Sequence, residues 1–225
     1  MQAGEIHISL QDISLTASLE IPQQPKGLVI AAAGRNCPGL KVQHEHLSRQ
    51  LRKHHIASLF TYLLETPEEQ EYDNPFDIPL MGERLLKITN WALRQPGLHS
   101  LPTGYFAANV AAASALEASI AAGSRIKAIV CCCGRPDLAR YELALVKPAT
   151  LLIAASEDVY ITELNKQAYD LLNDKKKMVV LEGTAHSFEE TAKAHKVAEL
   201  AAEWFDYHLN GATVNPSPMA KEGAI

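Results

Sequence analysis

Leu101-Pro102-Thr103-Gly104-Tyr105-Phe106-Ala107-Ala108-Asn109-Val110-Ala111 is the stretch that decides the fold. Its first half, Leu101 to Phe106, reads as a short strand, and Val110 to Ala122 reads as a helix of small residues free of Gly and Pro. A strand that runs through a tight turn straight into a helix is half of a βαβ unit, and the same alternation extends in both directions. Upstream, the unbroken apolar run Leu28 to Ala33 suits a strand buried on both faces. Val42 to His55, with Leu47 and Leu51, has helical spacing; Ile56 to Leu64 returns to strand character. Ile78 to Arg94 is helical with Leu85, Ile88 and Trp91 on one stripe. Downstream, strands are expected at Ile126 to Cys132, Ala149 to Ala155 and Met178 to Leu181, with helices at Thr162 to Leu172 and Phe188 to Leu209. Glu5 to Glu20 alternates around Gln11-Asp12 as a β-hairpin. The fold class is α/β: a mostly parallel central sheet with an N-terminal antiparallel hairpin and helices on both faces.

Composition fits one such domain, residues 1–210, followed by a tail, 211–225, whose Pro216, Pro218 and Gly223 lack periodicity and are expected to be flexible. In 225 residues, 47% are apolar, and 21 Lys and Arg face 26 Asp and Glu for a net charge of −5. That balance argues against nucleic acid as a partner. The Ala-rich run Ala107 to Ala122 is broken by Asn109, Ser114, Glu117 and Ser119, so no membrane span is expected. Met1 to Leu10 lacks the form of a secretory signal, which makes a cytoplasmic location the expectation. Cys37, Cys131, Cys132 and Cys133 read as reduced thiols, with no spacing that suggests a metal site. No cofactor is called for; a small-molecule ligand and a homo-oligomer both stay open.

In an open parallel sheet, ligands bind beyond the carboxyl ends of the strands. Two loops there carry suggestive chemistry: Ser156-Glu157-Asp158, and Glu182-Gly183-Thr184-Ala185-His186-Ser187-Phe188. An Asp followed later in the chain by a His supplies a carboxylate to orient an imidazole and a ring to take a proton. A helix N-cap for Asp158 and a solvated loop position for His186 are the plain alternatives. The third member of such a set sits on a strand-to-helix turn spelled G-x-S-x-G. The turn here is Ala107-Ala108-Asn109-Val110-Ala111, with Ala at both glycine positions and Asn109 where Ser belongs.

From about Gly27 to Leu209 the chain resembles the dienelactone-hydrolase-like branch of the α/β-hydrolase superfamily. The resemblance rests on Phe76-Asp77-Ile78-Pro79-Leu80 leading into Glu83-Arg84-Leu85, Gly104-Tyr105-Phe106, Gly134-Arg135-Pro136-Asp137-Leu138, Pro148-Ala149-Thr150-Leu151-Leu152-Ile153, Glu163-Leu164-Asn165 and Gly183-Thr184-Ala185-His186-Ser187-Phe188-Glu189-Glu190. It implies the α/β-hydrolase fold, an acid at Asp158, a base at His186 and a nucleophile position at Asn109. The implied oxyanion donors are the N–H of Val110 and one from Gly34-Arg35. Relatives commonly carry His-Gly where this chain has Ala33-Gly34.

An amide nitrogen is delocalised into its carbonyl and cannot form an acyl-enzyme, yet Asn tolerates positive φ better than most side chains. The elbow can therefore keep its shape while losing its chemistry. Two functions follow as expectations: a catalytically impaired hydrolase homologue with a residual small-molecule pocket, or an active hydrolase of a small ester, lactone or thioester. The second would use His186 and Asp158 with water or a pocket thiol, Cys37, Cys132 or Cys133. Alternation along the strand sends Cys132 to the face opposite Cys131 and Cys133. His44 and His46 are expected to be solvated on a surface helix, and Ser114 to be a packing residue.

Overall fold

The structure is a computed structural model and describes residues 2–10, 13–34, 40–64, 77–183 and 191–210. Among these, β1 (Gln2–Leu10), β2 (Ile13–Ile21), β3 (Gly27–Ala33), β4 (Ile56–Tyr62), β5 (Thr103–Ala108), β6 (Ile126–Cys132), β7 (Ala149–Ala155) and β8 (Lys176–Leu181) form one sheet. Their order is β1-β2-β4-β3-β5-β6-β7-β8. The hairpin β1–β2 and the β2–β4 pair are antiparallel, and β4-β3-β5-β6-β7-β8 run parallel. The expected fold class is the observed one. The loop 65–73 and the tail 211–225 lie outside the described residues.

Helices α1 (Leu40–Lys53), α2 (Ile78–Ala92), α3 (Ala111–Ala122), α4 (Val159–Leu171) and α5 (Thr191–Asn210) cover the sheet. Because side chains alternate along a strand, each parallel strand feeds two cores. Leu28, Ile30 and Ala32 of β3 join Met81, Leu85 and Ile88 of α2 and the alanines of α3 on one side. Val29 and Ala31 join Leu47 and Leu51 of α1 and Phe205 of α5 on the other. The chain turns from β3 to β4 on one side and to β5 on the other, so strand order reverses at β3. That switch point is where an open α/β sheet leaves a crevice, at the carboxyl ends of β3 and β5.

Two contacts fix β5, the strand that carries the elbow. The buried Thr89 hydroxyl of α2 donates to Leu85 O at 2.7 Å, which leaves Thr89 Oγ1 to accept from Tyr105 OH at 2.8 Å. Burial pushes the Tyr105 phenol up to about 12. On the opposite face, Gly104 lies so close to Phe205 that a Cβ would meet the ring at 2.6 and 2.8 Å.

Sequence boundaries shift modestly. The helix expected from Thr162 begins at Val159, because Asp158 caps it, and short 3-10 turns occupy Gly123–Arg125 and Pro136–Leu145. Among the described residues, no helix is long and apolar enough to cross a membrane.

Candidate active site

Ala33 of β3 and Ala108 of β5 are register partners at the switch point, so Gly34 and Asn109, the next residues of the two chains, stand side by side on the rim. Asn109 has φ +54, left-handed backbone at the junction of β5 and α3. This is a conformation that Asn adopts more readily than most residues. Its carbonyl accepts Ala112 N at 3.2 Å and Arg135 N at 3.0 Å, which ties the turn both to α3 and to the loop after β6. Gly134 makes that loop fit: a Cβ there would fall 2.4 Å from Ala112 Cβ. Asn165 of α4, fully buried, holds the same loop by donating to Gly134 O at 2.9 Å. Val110 is the N-cap of α3 and makes no side-chain cap bond; within the first turn, Ala112 N and Ala113 N are taken up by the carbonyls of Asn109 and Val110 at 3.2 and 3.1 Å. Ala107 and Ala111 are fully buried, and both methyl groups are accommodated in the core.

Asp158 also stands on the rim, after β7. Its Oδ1 accepts Ile161 N at 3.1 Å, so the carboxylate caps α4, as the plain reading of a strand-end Asp anticipated. Asp158→Ala should cost about 1 kcal/mol of stability through the lost cap, whereas Asp158→Asn keeps a capping oxygen and should cost much less. Urea unfolding distinguishes them, and equal losses would contradict the capping role. Ser156 joins the rim to β8, with its Oγ accepting Gly183 N at 3.0 Å. His186, Arg35 and Cys37 lie outside the described residues.

Cys133 departs from the alternation expected of it. The strand stops at Cys132, and Cys133 has φ +42, so its side chain leaves the pleat and joins Cys132 in the core beneath α1 and α5, while Cys131 faces α2 and α3. All three are free thiols at 3% exposure or less. Burial pushes Cys131 up to about 12. The Cys133 thiol is raised further, first by its hydrogen bond with Cys132 and then by burial. A thiolate nucleophile needs the reverse environment.

His44 is a second correction. Its ring stacks on Phe60 of β4 with centroids 4.2 Å apart, and Nε2 lies 3.0 Å from Ser48 Oγ, which continues to Ser58 Oγ at 3.1 Å. It lines a cavity of about 10 Å³ with Ala33, Phe106 and Ala108. Burial lowers its pKa to about 4. Between pH 6.5 and 4 the unfolded chain therefore binds a proton that the folded chain refuses, and stability falls as pH falls through that window. Unfolding free energies from urea titrations at pH 7 and pH 4.5 should drop less for His44→Gln than for the wild type, by on the order of 2 kcal/mol. Equal drops would contradict the assignment.

Arg84 enters the sequence resemblance within Glu83-Arg84-Leu85 but has no role assigned to it there. It is 8% exposed on α2 and donates from Nη1 to Leu63 O at 2.7 Å, placing a cation where β4 reaches the rim. An Arg within an amphipathic helix gives no sequence signal of this. Among the described residues, no three His, Cys, Asp or Glu side chains gather as a metal site would require.

The chain is similar to the dienelactone hydrolase of Anabaena variabilis, with 32% identity, a TM-score of 0.85, and coverage of 92% of this chain and 98% of that one. The esterase domain of a Rhodothermus marinus protein matches at TM-score 0.77 and 15% identity, over 93% of this chain and 100% of that one, a likeness of fold alone. Two Mycobacterium tuberculosis proteins named "Putative phosphoribosyl transferase" are 35% identical over 207 residues, 92% of this chain and 47% of theirs. The chain thus spans about half the length of the curated relatives it matches. No protein-family model matches it.

Proposed function

Because the chain belongs to the dienelactone hydrolase family, we propose that it is a member whose hydrolytic site is kept in shape but disarmed, a small-molecule-binding protein with impaired catalysis. Asn109 takes the nucleophile position, Asp158 the acid and His186 the base, and the oxyanion donors are the N–H of Val110 with Gly34 or Arg35. The observation that carries this reading is the left-handed backbone of Asn109 between β5 and α3. The turn holds the elbow conformation with a side chain that cannot attack a carbonyl.

The surviving parts keep a function without chemistry. An oxyanion cradle and a pocket still bind a carbonyl compound when the nucleophile is gone. The partner in this reading is a small ester, lactone or thioester, or an acid resembling one, and the setting is cytoplasmic. The alternative, an active hydrolase driven by a strand-end thiol, loses support from the burial of Cys132 and Cys133. The transferase named in the mycobacterial relatives is read as belonging to the part of those chains outside the match, because the matched stretch is a unit that covers nearly all of a dienelactone hydrolase.

A fluorophosphonate probe tests the proposal. Intact-mass measurement should show the wild type unlabelled and position 109 unmodified, and Asn109→Ser labelled once. Stoichiometric labelling of the wild type, or a mass one unit high from deamidation to a carboxylate, would overturn it.

A further inference from the structure

The sequence as a whole has no cationic surplus: the net charge is −5, and Lys175-Lys176-Lys177 follows Asp174. The fold makes a surplus locally. At the amino-terminal end of the sheet, the opposite end from Gly34 and Asn109, a groove of about 570 Å³ lies between the last turn of α3, the turn at Gly123 and Ser124, and His208 of α5. Lys127 is the second residue of β6, Lys147 stands two residues before β7, and Lys175 directly precedes β8. Three neighbouring strand starts each deliver a lysine to one concavity.

The backbone sets this arrangement in advance. Asn173 Nδ2 donates to Val146 O, and its Oδ1 accepts Lys175 N at 2.7 Å, so one side chain clamps the approach to β8 onto the approach to β7. Thr150 N donates to Lys175 O at 2.8 Å and closes the same link. Among the described residues, none of the ammonium groups of Lys127, Lys147 and Lys175 has an ion pair. The groove wall contains no carboxylate. His208 is held below its ordinary value first by burial and then by the charge of Lys175 beside it.

Lys127, Lys147 and Lys175 are exposed, and like charges gathered along one concavity focus a potential that an anion relieves. Carboxylates are matched by the planar fork of Arg, of which the wall has none, whereas separate ammonium groups grip phosphate oxygens as point charges. The volume falls in the range of small-molecule sites. The geometry points to a second binding site, at this end of the molecule, for a small phosphate-bearing anion held by Lys127, Lys147 and Lys175 with Ser124 and His208 at its edge.

Titration calorimetry of the full chain with inorganic pyrophosphate at low salt tests it. One pyrophosphate should bind per chain. Lys147→Ala and Lys175→Ala should each weaken binding about tenfold, and the double variant about a hundredfold. Lys166→Ala, on the surface of α4, should leave affinity unchanged, and melting curves should show every variant folded. Glycerol 3-phosphate as a second titrant separates sources: tighter binding than pyrophosphate marks a phosphate monoester, and weaker binding marks a diphosphate. No saturable binding at millimolar pyrophosphate overturns the site. So does an equal loss with Lys166→Ala, wild-type affinity in the double variant, or a tighter grip on citrate.

Discussion

Asn109→Ser is expected to turn a protein without measurable esterase activity into one that hydrolyses p-nitrophenyl acetate. Deleting the nucleophile of a complete triad costs about 10⁶ in rate while the oxyanion hole and binding survive, so on the proposed reading restoring a hydroxyl at position 109 returns much of that factor. The turn that carries Asn109 is firmly held. Asn109 holds φ +54, Arg135 N and Ala112 N bind its carbonyl, and Gly134 and Asn165 secure the loop behind it. A gain of at least about 10³ over the wild type is the expected result, the remainder being lost to Ala33 and to the alanines at the glycine positions. The gain should vanish when His186→Ala is added, which separates revived triad chemistry from adventitious hydrolysis by a new surface hydroxyl. An Asn109→Ser protein no faster than the wild type would mean that the elbow lacks its partners.

Phe205→Ala should be the most damaging single change to stability, at about 3–5 kcal/mol. The ring is fully buried on α5 and fills the hollow that Gly104 leaves in β5. Truncation removes that apolar burial and leaves a cavity beside the strand that carries the elbow. A loss of this size is a large part of the stability of an ordinary domain. The reverse intrusion, Gly104→Ala, should cost about 1–3 kcal/mol by overpacking, since its Cβ would meet the ring at 2.6 Å. The two share one space, so they should not add: once Phe205 is truncated, the new methyl group has room. Urea midpoints of the two single variants and the double close the cycle. Strict additivity would contradict the packing.

The fold was legible because its signals are local. The unbroken apolar run Leu28 to Ala33 suits a strand covered on both faces, and the passage from Phe106 through Asn109 into a small-residue helix reads as a strand-to-helix turn; the structure has both. The rim position of Asp158 and Asn109 followed from strand ends, and a helix cap was the plain alternative for Asp158, although the helix it caps begins three residues before the expected Thr162. What stayed illegible depends on distance in space. His44 looks like any polar helix residue until Phe60 of β4 is laid against it. Cys133 leaves the alternation because the strand ends one residue earlier. Lys127, Lys147 and Lys175 are scattered through an acidic chain and meet only because β6, β7 and β8 start side by side. Arg84 shows its burial only when α2 packs beneath the end of β4.

The most direct test of a disarmed site is the steady-state hydrolysis of p-nitrophenyl acetate by the wild-type protein beside its His186→Ala variant. Rates for both that match the buffer blank are the predicted result. Turnover by the wild type that disappears in His186→Ala would contradict the account, because it would show the acid and base working with a nucleophile other than a Ser at position 109.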